Sequence, residues 1–246
     1  MLLSISILFI SINAYPQKKE LSVLFVGNSY TYNNNLAHLV AIMSEGTDTK
    51  IRSRRSVAPG AFLWEHWNGR RGLNTRAIIE TGDFDIVVLQ DNSMATIQSP
   101  DSTLKYVNRF AALNAQYGAK TFLFNTWARE KVPQFQKEID QKYAEAAALS
   151  GATRVPVGEA WQLAMDIRHN IDLYISDGSH PTDLGSLLTA TMFVKAITGE
   201  LPDQIPVTFR VKDEFGEDVD IFYADPLDYE FCKRIAKEII KANLAL

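Results

Sequence analysis

Three residues in this sequence could together transfer an acyl group. Ser29 lies in the stretch FVGNSYT (25–31), just after a run of apolar residues (Leu21, Val23, Leu24, Phe25, Val26) that stops at Gly27. Asp177 and His180 lie far along the chain in SDGSHP (176–181), with Asp177 three residues before His180. A serine hydroxyl becomes a useful nucleophile when a base sits within hydrogen-bond reach. A histidine base in turn needs a carboxylate to fix its tautomer and stabilise the imidazolium. A D-x-x-H turn can supply both from one loop. Taken separately, each piece has a plainer meaning: Ser29 is a loop serine, and D-x-x-H is a polar turn that caps the next helix. Taken together, they supply a nucleophile, a base and an orienting acid.

Acyl transfer also needs donors for the oxyanion that develops on the carbonyl. In VVLQDNS (87–93), Gln90 and Asn92 stand just beyond an apolar run, where a side-chain amide can donate. Gly60, in VAPGAFLWEHW (57–67), can turn a backbone N–H toward a site with no Cβ in the way. Ser93 and Ser179 lie near the same groups; Ser179 directly precedes His180 and reads as a loop or cap residue. Trp64, His66, Trp67 and Trp127 either line a substrate groove, where aromatic faces suit sugar rings, or pack an amphipathic segment on the core. Arg129, in TWARE (126–130), either faces an anionic substrate or is solvated. His38 and His169 read as structural, and Cys232, among core-type neighbours in a helical pattern, as packing.

These residues must be placed by the elements around them. Residues 21–27, 83–90, 119–127 and 152–158 are short apolar-rich runs of the kind buried on both faces of a parallel sheet. Residues 50–57 form a more polar strand suited to a sheet edge. Helical periodicity occupies 33–46, where Leu36, Leu39, Val40 and Met43 share a face, and also 103–118, 133–151, 159–170, 181–199 and 227–244. Pro181 suits the first turn of the helix that follows His180. Residues 203–226 read as a hairpin or an irregular excursion. Strands alternating with helices predict a mainly parallel sheet covered on both faces. Ligands of such sheets bind at the carboxyl ends of the strands, which puts Ser29, Asn92, Thr126 and Trp127 at one rim.

Gly27-Asn28-Ser29 early in the chain, a glycine after the second strand, an asparagine after the third and Asp177-x-x-His180-Pro181 near the end resemble the blocks of the SGNH (GDSL-like) hydrolase superfamily. The resemblance runs from residue 21 to about residue 199, in order and spacing. It implies a three-layer α/β/α flavodoxin-like fold with about five strands, and a hydrolase of esters. Ser29 would be the nucleophile, His180 the base and Asp177 its partner. The N–H groups of Ser29 and Gly60 and the side chain of Asn92 would form the oxyanion hole. The sequence departs from the family pattern in two places. GDS reads Gly27-Asn28-Ser29, which keeps the nucleophile, and GxND reads Gln90-Asp91-Asn92-Ser93, which leaves Gln90 as an alternative donor. Gly69 and Gly72 compete with Gly60 but lie further from the strand end. The G-x-S-x-G elbow of α/β-hydrolases is absent, as is H-E-x-x-H.

Composition narrows the function classes. The chain has 246 residues, 46% hydrophobic and 22% charged, with a formal charge of -4 and no basic stripe beyond Arg52-Ser53-Arg54-Arg55. That profile is globular and argues against nucleic acid as a partner. Residues 1–14 read as a signal peptide, an apolar run ending at Ala14 that is shorter than the about 20 residues a bilayer span needs. Residues 20–246 then read as a single domain, exported to a bacterial periplasm or the extracellular space without a stable membrane anchor. A lone cysteine, which excludes an internal disulfide, fits the periplasm. The leading expectation is a secreted serine esterase that needs no cofactor and acts on a small or glycan ester, such as a carbohydrate O-acetyl group. Two alternatives are a metal-dependent hydrolase built on Asp177, His180 and other rim groups, and a non-catalytic glycan-binding protein on the same scaffold. Four histidines with no clustered ligand motif disfavour the metal, and the intact Ser, Asp and His disfavour loss of turnover.

Overall fold

The computed structural model describes residues 18–244, so the expected signal peptide lies outside the described residues. Five strands form one parallel sheet in the order β2-β1-β3-β4-β5: β1 Lys19–Gly27, β2 Thr49–Val57, β3 Ile86–Leu89, β4 Lys120–Asn125 and β5 Thr153–Pro156. The sheet is a three-layer α/β/α sandwich because each strand presents apolar residues to both sides. In β1, Val23 and Phe25 enter one core while Leu24 and Val26 enter the other; in β3, Ile86 and Val88 oppose Val87 and Leu89. This is why these strands read as continuous apolar runs and not as alternation. β2 is polar and lies at the edge, with exposed Lys50, Arg52, Arg54 and Arg55 blunting it.

The first face is covered by α2 (Leu36–Ser44), α8 (Val157–Ile167), α9 (Asp183–Thr198) and α10 (Pro226–Leu244). α9 is buried without a break from Gly185 to Val194, as expected for a helix sandwiched between the sheet and other helices. The other face carries α3 (Leu63–Trp67), α4 (Thr75–Thr81), α6 (Pro100–Gln116) and α7 (Gln136–Ser150), while the short turns α1 (Ser29–Tyr32) and α5 (Ala95–Gln98) sit at the rim. Residues 203–226 resolve into an antiparallel hairpin, β6 (Thr208–Lys212) and β7 (Asp218–Tyr223), anchored by edge-to-face packing of Phe209 on Phe222.

Several boundaries differ from the sequence reading. β5 ends at Pro156, which has no N–H to extend the ladder, and α8 begins at Val157, inside the run expected to be strand. α9 starts after its cap Thr182, whose hydroxyl accepts from Gly185 N–H, so Pro181 precedes the helix instead of opening it. Strand order places β1 and β3 side by side, with their following loops running to opposite sides of the sheet. That divergence opens a crevice at the carboxyl ends of the two strands.

Candidate active site

Ser29 opens α1 immediately after β1, at the crevice. The turn that presents it is held from three sides. Gln90 Oε1 accepts from Asn28 N–H and from Thr31 Oγ1, both at 2.9 Å. Asn28 Oδ1 accepts from Tyr30 N–H at 3.1 Å, and Asn28 Nδ2 donates to Ala61 O at 3.0 Å. Gly27 is required by close approach, since a Cβ there would lie 2.4 Å from both Gln90 Oε1 and Thr31 Oγ1. His66 Nε2–H donates to Gly27 O at 2.9 Å, and its Nδ1 accepts from Thr75 Oγ1 at 2.7 Å. A carbonyl can only accept, so this pairing fixes the neutral Nε2–H tautomer. Burial holds the imidazole pKa down to about 4. His66 therefore buttresses the strand end and does not line a groove.

His180 reaches Ser29 from the loop before α9. Its Nε2 lies 2.8 Å from Ser29 Oγ, and its Nδ1 lies 2.6 Å from Asp177 Oδ2. The carboxylate at Nδ1 requires Nδ1–H, which leaves the Nε2 lone pair to accept the serine proton. Asp177 Oδ1 accepts from the N–H groups of Ser179 and His180 at 2.8 and 2.9 Å. The hydrogen bond from His180, with those backbone donors, lowers the carboxyl pKa to about 2. Gly178, at φ +66°, closes the turn between acid and base.

Ser29, Gly60 and Asn92 line one cavity of about 280 Å³ together with Tyr30, Tyr32, Ser93, Arg129, Ser179 and His180. Neither Ser29 N–H nor Gly60 N–H has a protein acceptor among the described residues. Asn92 Nδ2 donates one hydrogen to Gly60 O at 3.0 Å and keeps a second. Gly60 sits at φ +63°, a conformation natural to glycine, so the three groups expected to hold an oxyanion share one cavity. Asn92 is anchored from beneath by Asp91, which is buried and joins it to Leu63 and Thr103. Asp91 Oδ1 accepts from Leu63 N–H at 2.9 Å and Asn92 N–H at 2.8 Å, and Oδ2 accepts from Thr103 Oγ1 at 2.8 Å. Burial raises its pKa against those three bonds. The sequence reading assigned Asp91 no role, although it follows Gln90 in the same block.

The fold is shared with known proteins. A protein assigned as an SGNH hydrolase, from Slackia heliotrinireducens, superposes with a TM-score of 0.62 at 26% identity, over 73% of this chain and 100% of that one. The fold is that of the SGNH hydrolase superfamily. A DUF4886 family protein from Bacteroides uniformis matches at TM-score 0.71 and 16% identity, over 90% of this chain and 95% of that chain. An acetyl xylan esterase from Geobacillus stearothermophilus matches at 0.59 and 12% identity, over 75% and 97%. No family model matches the sequence, and no curated protein matches it.

Two expectations are corrected on this SGNH scaffold, Gln90 as a donor or substrate contact and Trp127 as a groove residue. Gln90 is fully buried, with its carbonyl spent on Asn28 and Thr31 and its amide on Asp91 O, so it is neither an oxyanion donor nor a substrate contact. Both residues lie beyond the end of β3, where the chain leaves the strand, and Asn92 faces the cavity while Gln90 is buried beneath the Ser29 turn. Trp127 is 1% exposed, stacked between Tyr30 at 4.6 Å and Trp161 at 3.7 Å, and its Nε1 donates to Ser179 O at 2.9 Å. It braces the His180 loop and leaves no face for a sugar. Trp67 packs on Phe110, and Trp64 lies outside the cavity. His38 sits within α2, His169 is exposed beyond α8, and Cys232 is fully buried in the core.

Tyr30, which the sequence reading passed over, packs edge-on to His180 and bonds Ser179 Oγ at 2.7 Å through its hydroxyl. A larger hollow, about 670 Å³, opens between α7 and α8, but carries no nucleophile beside a base. Among the described residues, no three His, Cys, Asp or Glu side chains converge as metal ligands. No described helix is long and apolar enough to cross a membrane.

Proposed function

We propose that this protein is a serine esterase that removes short acyl groups, acetyl foremost, from carbohydrate. One observation carries the reading: an unbroken hydrogen-bond chain from Asp177 through His180 to Ser29 Oγ, opening on a cavity that also holds two free backbone N–H groups and an amide. His180 Nε2 takes the hydroxyl proton as Ser29 Oγ attacks the ester carbonyl. Asp177 stabilises the imidazolium. The tetrahedral oxyanion is met by Ser29 N–H, Gly60 N–H and Asn92 Nδ2. The alcohol leaves with the proton from His180, and water deacylates Ser29 by the same route.

The short-acyl preference rests on the size of the cavity, about 280 Å³. The acetyl xylan esterase among its structural neighbours supports a carbohydrate substrate. We further propose export, with residues 1–14 as the leader. The test is hydrolysis of p-nitrophenyl acetate, butyrate and octanoate by wild type and Ser29→Ala, with and without EDTA. Expected is activity falling from acetate to octanoate, lost in Ser29→Ala and indifferent to EDTA. Activity that survives the substitution, or that EDTA removes, overturns the serine mechanism.

A further inference from the structure

The catalytic cavity does not end at the nucleophile. Arg129 forms part of its wall and also part of the wall of an adjoining groove of about 410 Å³ lined by Met94, Gln98, Lys131, Val132, Asp177 and Gly178. Arg129 is therefore the junction between the place where the ester carbonyl must sit and the next space available to the substrate.

The chemistry of that junction is one-sided. Arg129 Nε and Nη2 both donate to Ser93 Oγ, at 3.2 and 2.9 Å. The bonds aim one edge of the guanidinium and hold it without neutralising it. The remaining N–H groups, including the whole of Nη1, have no protein acceptor among the described residues. Among the described residues, neither Arg129 nor Lys131 makes an ion pair. The single carboxylate in the groove lining, Asp177, is already spent on His180 Nδ1 and two backbone N–H groups. Glu130 rests near Gly178, outside the lining. Arg129 and Lys131 line the groove with one committed carboxylate, and Glu130 sits close behind Gly178, so the feature that points to an anion is the unpaired edge of Arg129 and not the net charge. A guanidinium with a free edge is the group that pairs with a carboxylate through two parallel bonds.

Building on the esterase reading, we propose that the substrate is an ester whose alcohol portion carries a carboxylate, as in an O-acylated acidic sugar, with the carboxylate held by Arg129 and Lys131 in this groove. The acyl group occupies the catalytic cavity and the alcohol extends past Ser93 into the groove. Arg129 thereby acts as a specificity residue that orients the leaving alcohol.

The experiment compares 3-acetoxybenzoate, whose leaving alcohol carries a carboxylate, with its neutral methyl ester. The kcat/KM ratio of acid over methyl ester is measured for wild type, Arg129→Gln, Arg129→Lys and Lys131→Gln. Comparing the ratio between variants cancels the difference in leaving groups. Expected is a drop of about tenfold or more in the ratio for Arg129→Gln, carried by KM. A partial drop is expected for Arg129→Lys, which keeps the charge and loses the fork, and a smaller drop for Lys131→Gln. A wild-type ratio that shrinks as salt is raised supports the same conclusion. A ratio that moves by less than twofold in Arg129→Gln overturns the proposal and leaves the esterase reading intact, provided hydrolysis of the methyl ester still depends on Ser29.

A second arm does not need turnover. Calorimetric binding of 3-acetoxybenzoate to Ser29→Ala should weaken about tenfold when Arg129→Gln is added. Equal binding by the two proteins overturns the anionic subsite even if the esterase reading has itself failed.

Discussion

Replacing His66 with glutamine should remove a specific segment of the protein's acid sensitivity. His66 is 1% exposed and neutral, with Nε2–H on Gly27 O and Nδ1 receiving the Thr75 hydroxyl, which also bonds Ser56 at 2.8 Å. Protonating it would place a charge in an apolar layer and turn Nδ1 from acceptor to donor against Thr75. Its pKa is therefore depressed from 6.5 to about 4, with burial the main cause. In the unfolded chain the imidazole titrates near its ordinary value. A depressed folded-state pKa contributes stability that is complete above 6.5 and is lost as pH falls toward 4. The gap corresponds to about 3 kcal/mol, a large fraction of the total stability of a typical domain. Glutamine keeps a donor for Gly27 O and an acceptor for Thr75 but does not titrate.

The assay is urea denaturation followed by tryptophan fluorescence between pH 8 and pH 4. Wild type should lose about 3 kcal/mol more than His66→Gln across that range. The other acid-sensitive group of the site separates cleanly. Asp177 has its pKa lowered to about 2, so its contribution is present above the ordinary carboxylate value of 3.8 and is lost only as pH falls toward 2. That contribution is also screened, because the side chain is 44% exposed. Parallel pH profiles for wild type and His66→Gln would refute the reasoning, because they would mean that His66 is no more depressed in the folded protein than in the unfolded chain.

Three further substitutions probe the catalytic and supporting residues. Asn92→Ala should lower kcat by about 10²–10³ while KM moves little, as expected for a donor engaged mainly in the transition state; steady-state kinetics on p-nitrophenyl acetate would show a KM effect alone if Asn92 only bound substrate. Asp177→Asn should lower kcat by about 10⁴, because an amide favours the Nε2–H tautomer and denies Ser29 its base. Its thermal unfolding near neutral pH should change only modestly, since the side chain is 44% exposed and its interactions are screened. Trp127→Ala should cost about 3–5 kcal/mol in thermal unfolding, because it removes the middle ring of the Tyr30–Trp127–Trp161 stack and the bond to Ser179 O. A loss under about 1 kcal/mol would mean that the stack does not brace the His180 loop.

The local sequence determined the sheet and the reacting groups. Apolar runs at 21–27 and 83–90 read as strands buried on two faces, because both their odd and even positions carry apolar residues and the runs are short. Ser29 was legible because it follows the first of those runs, and Asp177 with His180 because a turn of three residues can place a carboxylate on a ring nitrogen. What one residue does once its neighbours arrive from elsewhere was decided by the tertiary structure. Gln90 and Asn92 are two residues apart and equally amide, yet the end of β3 buries one under the Ser29 turn and opens the other to the cavity. Trp127 follows a strand, as a groove residue would, but Tyr30 and Trp161, distant in sequence, occupy both its faces. Asp91, His66 and Arg129 carry no local signal of their roles. Each depends on a partner 28 to 39 residues away along the chain, Leu63 for Asp91, Gly27 for His66 and Ser93 for Arg129, brought near by strand order and helix packing. Sequence periodicity encodes which face of an element is buried. Which side chains from other elements meet that face is set only when the layers close on one another.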